Sequence, residues 1–240
     1  MSETTLPARE PQPERRSSPV VAAGEETSAA RAALRSGFSP RYSGQLHFAF
    51  TSALGWSTVL LALSWVQAPT ALELLTVPLT LLYANAVEYF GHKGPMHHRK
   101  PGLSLVFRRH ALEHHRFFTE ARMAIDSARD VKMVLFPPVL IVFFFGLFAV
   151  PAGLLVRALL GTNVAALFVA SSMTYFLLYE TLHLTYHLGE GTLLGRLSLV
   201  KQLRRHHARH HDPSRMAAGN FNITFPICDA IFGTLLGPSR

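Results

Sequence analysis

The chain has 240 residues, of which 49% are hydrophobic and 16% charged, a composition typical of membrane proteins rather than of soluble domains. Its formal net charge is +8, but the basic residues flank apolar stretches and no nucleic-acid recognition motif occurs, so we set nucleic-acid binding aside. Cys228 is the single cysteine, which excludes an intramolecular disulfide and a cysteine-based zinc site.

The beginning of the chain is polar and rich in Pro, Ser, Glu, Arg and Ala, with no apolar run long enough for a signal-peptide core. Such a composition cannot bury enough apolar surface to fold alone. We therefore predict a disordered polar segment over residues 1–42, followed by a membrane-embedded domain over residues 43–240.

Four apolar stretches follow, each of about 20 residues, which as a helix spans the ~30 Å hydrocarbon core of a bilayer. They are residues 46–66, 71–90, 133–150 and 163–182. Buried helices of a soluble protein are the alternative, but Pro78, Pro137 and Pro138 would break them, whereas membrane helices tolerate proline more readily. The sequence therefore predicts an all-α integral membrane protein with about four transmembrane helices.

The positions of the basic residues predict the topology. All but one of the 23 Lys and Arg residues lie within residues 1–45, 91–132 and 184–240, and Arg157 is the exception. Four crossings place these three segments on one side of the membrane, and the positive-inside rule makes that side cytoplasmic. We therefore expect both termini on the cytoplasmic side of a multi-pass protein.

Twelve of the thirteen histidines fall into four groups within the basic segments or at the ends of the apolar stretches. The groups are His92, His97 and His98; His110, His114 and His115; His183 and His187; and His206, His207, His210 and His211. Most pairs have the i, i+4 spacing that places two side chains on one helix face. For His92 and His97, five residues apart, we expect a helix end at Gly94 and Pro95 to turn the second imidazole back.

The grouped histidines predict a metal centre. Imidazole suits iron, zinc, copper and nickel, and the absence of thiolates argues against structural zinc or an iron–sulfur cluster. About ten imidazoles are too many for one ion and suit two. His47 and His98 fit no paired spacing, so we interpret them as packing or surface residues. In the fourth group spacing alone permits His206 or His207, and we favour His207, which shares a helix face with His210 and His211.

These motifs resemble those of the fatty acid hydroxylase and sterol desaturase superfamily of integral membrane di-iron enzymes. The matching motifs are Glu88-Tyr-Phe-Gly-His92-x4-His97, His110-x3-His114-His115, His183-x3-His187, His207-x2-His210-His211 and the C-terminal run from Asn220 to Thr234. One departure is the x3 spacing after His110, where many fatty acyl members have x2. The resemblance covers about residues 45–236 and leaves the subfamily open.

The resemblance implies four membrane helices capped by a cytosolic helical region that holds the dimetal centre. The implied ligands are His92, His97, His110, His114, His115, His183, His187, His207, His210 and His211. Each ligating imidazole needs a partner for its second nitrogen. Glu180, one helical turn before His183, is the first candidate for such a partner, and Glu113 and Asp229 are further candidates.

We predict an O2-dependent di-iron hydroxylase that acts on a fatty acyl or related lipid chain, with two Fe ions that Zn can replace in purified protein. Electrons are expected from NAD(P)H through a separate protein, because no dinucleotide fingerprint occurs and the segment before the first span is too short for a haem or flavin domain. A desaturase, or a sterol- or carotenoid-modifying oxygenase of the same superfamily, is the alternative. A membrane metal transporter is a remote one, since ionisable residues do not follow the middle of the spans.

Overall fold

The computed structural model describes residues 19–238, in which every regular element is a helix apart from one isolated β-bridge between Thr119 and Arg122. The α-helices are α1 (Pro19–Ser36), α2 (Gly44–Leu63), α3 (Ala71–Leu74), α4 (Thr76–Gly91), α5 (Ser104–Phe107), α6 (His115–Phe117), α7 (Pro138–Phe144), α8 (Val150–Leu160), α9 (Thr162–Leu188), α10 (Ser198–His210) and α11 (Ile227–Ile231). Short π-helical segments cover His92–Met96, Arg108–His114 and Phe145–Ala149, and 3-10 helices cover Ala128–Met133 and Leu194–Arg196. The all-α prediction is confirmed for the described residues.

Three helical stretches are long and apolar enough to cross a membrane, and they match three of the four predicted spans. They are Gly44–Leu63, Ala71–Met96 and Thr162–Leu188. Local chemistry sets their ends. The Ser43 hydroxyl accepts a hydrogen bond from the Leu46 amide at the start of α2. Gly161, at φ 89°, occupies the left-handed region that favours glycine and separates α8 from α9.

The remaining predicted span, residues 133–150, lies further along the chain than expected. The helix starts at Pro138, passes through the π-helical segment Phe145–Ala149 and ends at Leu160. Proline is tolerated in the first turn of a helix but not in its interior, so Pro137 and Pro138 fix the start. Met133 instead ends a 3-10 helix and is buried in the core. Among the described residues only Val150–Leu160 of this stretch counts as an apolar helix, and it is shorter than a span, so helix length alone supports three spans and not four.

Helix α9 lies at the centre of the bundle and packs against α2, α4 and α8. Gly55 of α2 allows a close approach to α9, because a Cβ at that position would lie 2.5 Å from a methyl carbon of Leu177. Small residues permit such contacts between membrane helices. The outward faces carry apolar side chains, with Leu60 67% exposed and Leu79 63% exposed. A surface of that kind suits contact with lipid rather than water.

The N-terminal helix α1 corrects the predicted disorder over part of residues 1–42. Residues 1–18 lie outside the described residues, but Pro19–Ser36 form a helix that docks through its arginines. The guanidinium of Arg31 is fully buried and pairs with Asp126 at 3.1 Å, while Arg35 pairs with Asp126 at 2.6 Å and with Asp130 at 2.7 Å. These partners lie 91 or more residues away in the chain, so composition alone could not reveal the docking.

The C-terminal segment packs against α4 and α9 through the side chain of Glu88. Its carboxylate accepts hydrogen bonds from the Tyr175 hydroxyl at 2.5 Å and from the Thr224 hydroxyl at 2.6 Å, and also from the Ile223 and Thr224 amides. Charge-assisted hydrogen bonds to a carboxylate are stronger than neutral ones. Glu88 therefore joins two membrane helices to the segment that follows α10.

We expect Gly55→Leu to lower the thermal unfolding midpoint of the purified protein in detergent, because α2 and α9 would have to separate to admit the side chain. Overpacking of this kind destabilises by about 1–3 kcal/mol. Ala53→Leu is the matched control, since Ala53 lies on the same helix with an exposed side chain, and its midpoint should equal that of the wild type. If Gly55→Leu behaves like Ala53→Leu, the close packing of the two helices is wrong.

Candidate metal centre

Ten buried imidazoles converge in two sets of five, and they are the ten that the sequence selected. Within each set one ring nitrogen from every histidine lies within 4.8 Å of all the others. Set one consists of His92, His97, His110, His115 and His210, and set two of His114, His183, His187, His207 and His211. Clusters of buried, mutually facing imidazoles of this size are the kind of donor set that binds transition metals.

A π-helical turn brings His92 and His97 into set one. The turn covers His92–Met96, and the two imidazole rings stack with their centroids 5.1 Å apart. Hydrogen bonds in a π-helix run from i to i+5, so side chains five residues apart come onto one face. The expected helix end at Gly94 and Pro95 is thereby corrected, because Pro95 lies inside the π turn.

A second π-helical segment, Arg108–His114, does the same for His110 and His115. Their Nε2 atoms lie 3.0 Å apart. The Nε2 atoms of His92 and His110 are 2.8 Å apart, which joins the two turns. His210, from the end of α10, completes set one with its Nε2 3.2 Å from that of His115.

Set two uses ordinary α-helical spacing. His183 and His187 lie one turn apart on α9, and His207 and His211 are one turn apart at the end of α10. The Nε2 atoms of His207 and His187 are 3.3 Å apart, and those of His211 and His207 are 3.0 Å apart. His114 closes the set, with its Nε2 3.3 Å from that of His183.

Adjacent histidines are divided between the two sets. His115 belongs to set one and His114 to set two, and in the same way His210 belongs to set one and His211 to set two. The rings of His115 and His211 stack with centroids 4.4 Å apart. The two sets are therefore neighbours.

Backbone carbonyl groups hold five of the ten imidazoles through their Nδ1 atoms. The pairs are His92 with Phe221 O, His114 with Met133 O, His187 with Met123 O, His210 with Gly219 O and His211 with Phe118 O. A carbonyl only accepts, so each of these imidazoles must donate its Nδ1–H, which fixes its tautomer and leaves Nε2 as a bare lone pair. No side-chain pattern signals such partners, and sequence reasoning missed them.

The two sets fit metal cations on electrostatic grounds. His114 and His211 both donate through Nδ1, yet their Nε2 atoms lie 3.1 Å apart. Two lone pairs repel at that distance, and neutral imidazoles have no second proton to share. Burial opposes protonation, because it lowers the pKa of His114 and that of His210 to about 3. A cation between the nitrogens removes the repulsion, and neutral imidazole is the form that ligates metals.

Two of the three histidines outside the sets, His206 and His47, lie against other groups. His206 lies 3.5 Å from Asp229 through its Nε2 atom and is not a member of either set. The ring of His47 lies between the Tyr42 hydroxyl, at 2.9 Å, and the carbonyl of Phe136, at 3.1 Å. His98 is exposed.

All three carboxylates proposed to orient ligands have partners other than a ligand imidazole. Glu180 accepts a hydrogen bond from the Phe136 amide at 3.3 Å, while the buried Nδ1 of His183 has no hydrogen-bond partner in the described part of the chain. Glu113 pairs with Arg109. The direct orienting roles of Glu180, Glu113 and Asp229 stay predictions.

Asp229 acts on set one through the backbone. Its carboxylate accepts hydrogen bonds from the amides of Phe221 at 3.0 Å and Asn222 at 2.8 Å and from the Thr234 hydroxyl at 2.6 Å. The carbonyl of Phe221 in turn accepts from His92. Asp229 thus fixes the peptide that orients a set-one imidazole.

Comparison with known proteins identifies the family. The family model described as fatty acid hydroxylase matches residues 77–234, a range that includes all ten histidines of the two sets. No curated protein and no solved structure matches the chain. The family match covers more than half of the chain and agrees with the resemblance of the histidine motifs. The chain therefore belongs to the fatty acid hydroxylase family, within the fatty acid hydroxylase and sterol desaturase superfamily.

Proposed function

We propose that this protein is an O2-dependent di-iron hydroxylase that inserts one oxygen atom into a C–H bond of a fatty acyl or related lipid chain. One observation carries the proposal: two neighbouring, buried sets of five imidazoles lie among membrane-length helices in a chain of this family. The reaction balances as R–H + O2 + 2 e⁻ + 2 H⁺ → R–OH + H2O.

Each set would hold one iron ion through its facing imidazole nitrogens. Iron is favoured because neutral imidazole suits Fe and the described site contains no thiolate. When bound, the two ions would supply electron transfer to O2 and oxidation of the C–H bond. Zinc binds such sites at least as tightly, so it can replace iron in purified protein.

The chain itself orients the ligands and keeps the centre dry. Backbone carbonyls set the tautomers of five imidazoles, and aromatic rings pack around them. The Phe118 ring lies 4.0 Å from the His187 ring between centroids, and Tyr186 lies 5.6 Å from His207. Both aromatic residues are fully buried. Excluding bulk water protects a reactive metal centre from side reactions.

A desaturase or a sterol- or carotenoid-modifying oxygenase would share these ligands, so the identity of the product must separate them from a hydroxylase. A metal transporter is less well supported. A path for ions needs accessible polar groups along the spans, whereas Glu88 and Glu180 accept hydrogen bonds near the histidine sets and Glu73 caps a helix at the opposite end. All ten set imidazoles are also buried.

Contacts at the two ends of the bundle support a fourth crossing. The carbonyl of Phe136 accepts from His47, near the start of α2 and the histidine sets. Asn163 lies at the other end, where its side chain bonds the backbone of Gln67 at 2.9 Å. The helical stretch 138–160 therefore leads from one end to the other, and we propose four spans with the dimetal centre and both termini on the cytoplasmic side.

The electrons are proposed to come from NAD(P)H through a separate donor protein. The net charge of +8 and the exposed Arg99, Lys100 and Arg116, close in sequence to the set-one and set-two histidines, suit an acidic partner. Complementary charge accelerates such encounters and is screened by salt.

The proposed function is tested by metal analysis and by product analysis of the same sample. Iron-loaded protein supplied with O2, reductant and lipid should contain two Fe per chain and release lipid with one added oxygen atom. Zinc-loaded protein should release none, since zinc has no redox chemistry. One metal per chain, or full activity with zinc alone, contradicts the di-iron proposal, and loss of two hydrogens from the product indicates a desaturase.

Replacing His207 or His206 tests the ligand register in α10. We expect His207→Ala to be inactive and to lose iron, because its Nε2 lies within set two. His206→Ala should keep its iron and lose no more than the ~10 to 100-fold that is typical when an outer partner is removed. Iron content and turnover are measured for both variants. The reverse pattern would place His206 in the site.

Reporter fusions test the topology. Fusions after Ala68 and at the C-terminus should report opposite sides of the membrane, because the Ala68 turn lies at the end of α2 remote from the histidine sets and carries no basic residue. Matching signals from the two fusions would refute four spans.

A further inference from the structure

The loop between α6 and the 3-10 helix Ala128–Met133 supplies two of the carbonyls that hold set two. The Phe118 carbonyl accepts from His211 Nδ1 at 2.9 Å, and the Met123 carbonyl accepts from His187 Nδ1 at 2.7 Å. Backbone hydrogen bonds join the same residues to the loop, because Glu120 N donates to His211 O and Ile125 N donates to His187 O. The orientation of two set-two imidazoles therefore depends on the path of this loop.

The loop cannot hold that path through secondary structure. Within the described residues its regular pairing is a single isolated bridge between Thr119 and Arg122. Buried backbone groups of an irregular segment take their hydrogen bonds from other parts of the chain instead of from a neighbouring strand. Arg31 of α1 provides three of those bonds.

The guanidinium of Arg31 bonds the loop at positions next to both imidazole-holding carbonyls. Its Nε donates to Phe117 O at 2.7 Å, and its Nη2 donates to Arg122 O at 2.9 Å and to Ala124 O at 3.0 Å. Its Nη1 pairs with Asp126 at 3.1 Å. These acceptors flank residues 118 and 123, and the Arg31 side chain is fully buried among them.

We propose that Arg31 is a positioning residue for the metal site formed by set two, so that α1, which lies outside the family match, is part of the dimetal centre. This inference rests on the proposed function. Only a guanidinium offers five donors in a planar fork that can reach three carbonyls and a carboxylate together. A lysine ammonium keeps the positive charge but lacks the planar arrangement of five donors.

Set one has a separate support for His92 and His210, the two of its imidazoles that carbonyls hold, so we expect the effect of Arg31 to be confined to the set-two ion. The carbonyls that hold its imidazoles belong to Gly219 and Phe221. Asp229 fixes the Phe221 peptide, and the Asn220 amide bonds Thr234 O at 2.9 Å. None of these residues is bonded to α1 in the described part of the chain.

The test compares Arg31→Lys with Arg35→Lys in the full chain, both conservative changes on one helix. Arg35 pairs with Asp126 and Asp130 but bonds no loop carbonyl. We measure iron per chain, the affinity for the second ion and the thermal unfolding midpoint. Wild type and Arg35→Lys should hold two ions, whereas Arg31→Lys should bind its second ion ~10 to 100-fold more weakly. If Arg31→Lys is not recovered folded, Arg31→Gln is measured against the same criterion.

Double variants identify which ion is affected. His92→Ala should leave only the set-two ion, and adding Arg31→Lys should weaken the binding of that ion ~10 to 100-fold. His211→Ala should leave only the set-one ion, and adding Arg31→Lys should remove nothing more. The inference would be overturned if Arg31→Lys bound two ions with wild-type affinity, or if its affinity for both ions fell equally. Fewer than two ions in the wild type would instead overturn the proposed function.

Discussion

The site depends on repulsion between the lone pairs of neutral imidazoles held at close range. Carbonyl acceptors fix the protons of five histidines on Nδ1, and burial keeps the rings neutral, as the pKa of about 4 for His97 also illustrates. Their Nε2 atoms then face one another with no proton between them. A fold that brings five such groups together among ten converging imidazoles would gain stability from cations at their centres, because metal binding to the folded state stabilises that state.

The backbone atoms that direct the imidazoles lie mostly in irregular segments, and charged side chains fix those segments. Arg31 holds the loop beside set two, Asp229 holds the Phe221 peptide beside set one, and Glu88 ties the same C-terminal segment to α4 and α9. At Gly219 the approach is so close that a Cβ would lie 2.1 Å from the carbonyl oxygen of Thr234. Glycine is required there because any side chain would displace the carbonyl that accepts from His210.

The sequence predicted the helical class, three of the spans and the ten converging histidines, because each follows from local patterns: apolar runs, charge between them and histidine spacing. It placed the remaining apolar helix too early, since Pro137 and Pro138 outweighed the apolar run that begins at Met133. The docking of α1 was missed because its composition is polar and its partners are remote. Every residue has a backbone carbonyl, so the residue types in a sequence do not show which carbonyls bond the imidazoles. Sequence reasoning could therefore propose only carboxylate partners such as Glu180.

The departure from the family pattern in the second histidine group has a geometric explanation in the π-helical segment Arg108–His114. In His207-x2-His210-His211 the first and last histidines are four apart, share an α-helical face and both belong to set two, while the middle one belongs to set one. His110-x3-His114-His115 has one residue more, and its first and last histidines are five apart. A π turn contains one extra residue, so the side chains that return to the same helix face are five residues apart rather than four. His110 and His115 accordingly share set one, and His114 faces set two. The x3 spacing in a π turn is thus equivalent to x2 in an α-helix, and the extra residue preserves the division of one histidine group between the two sets.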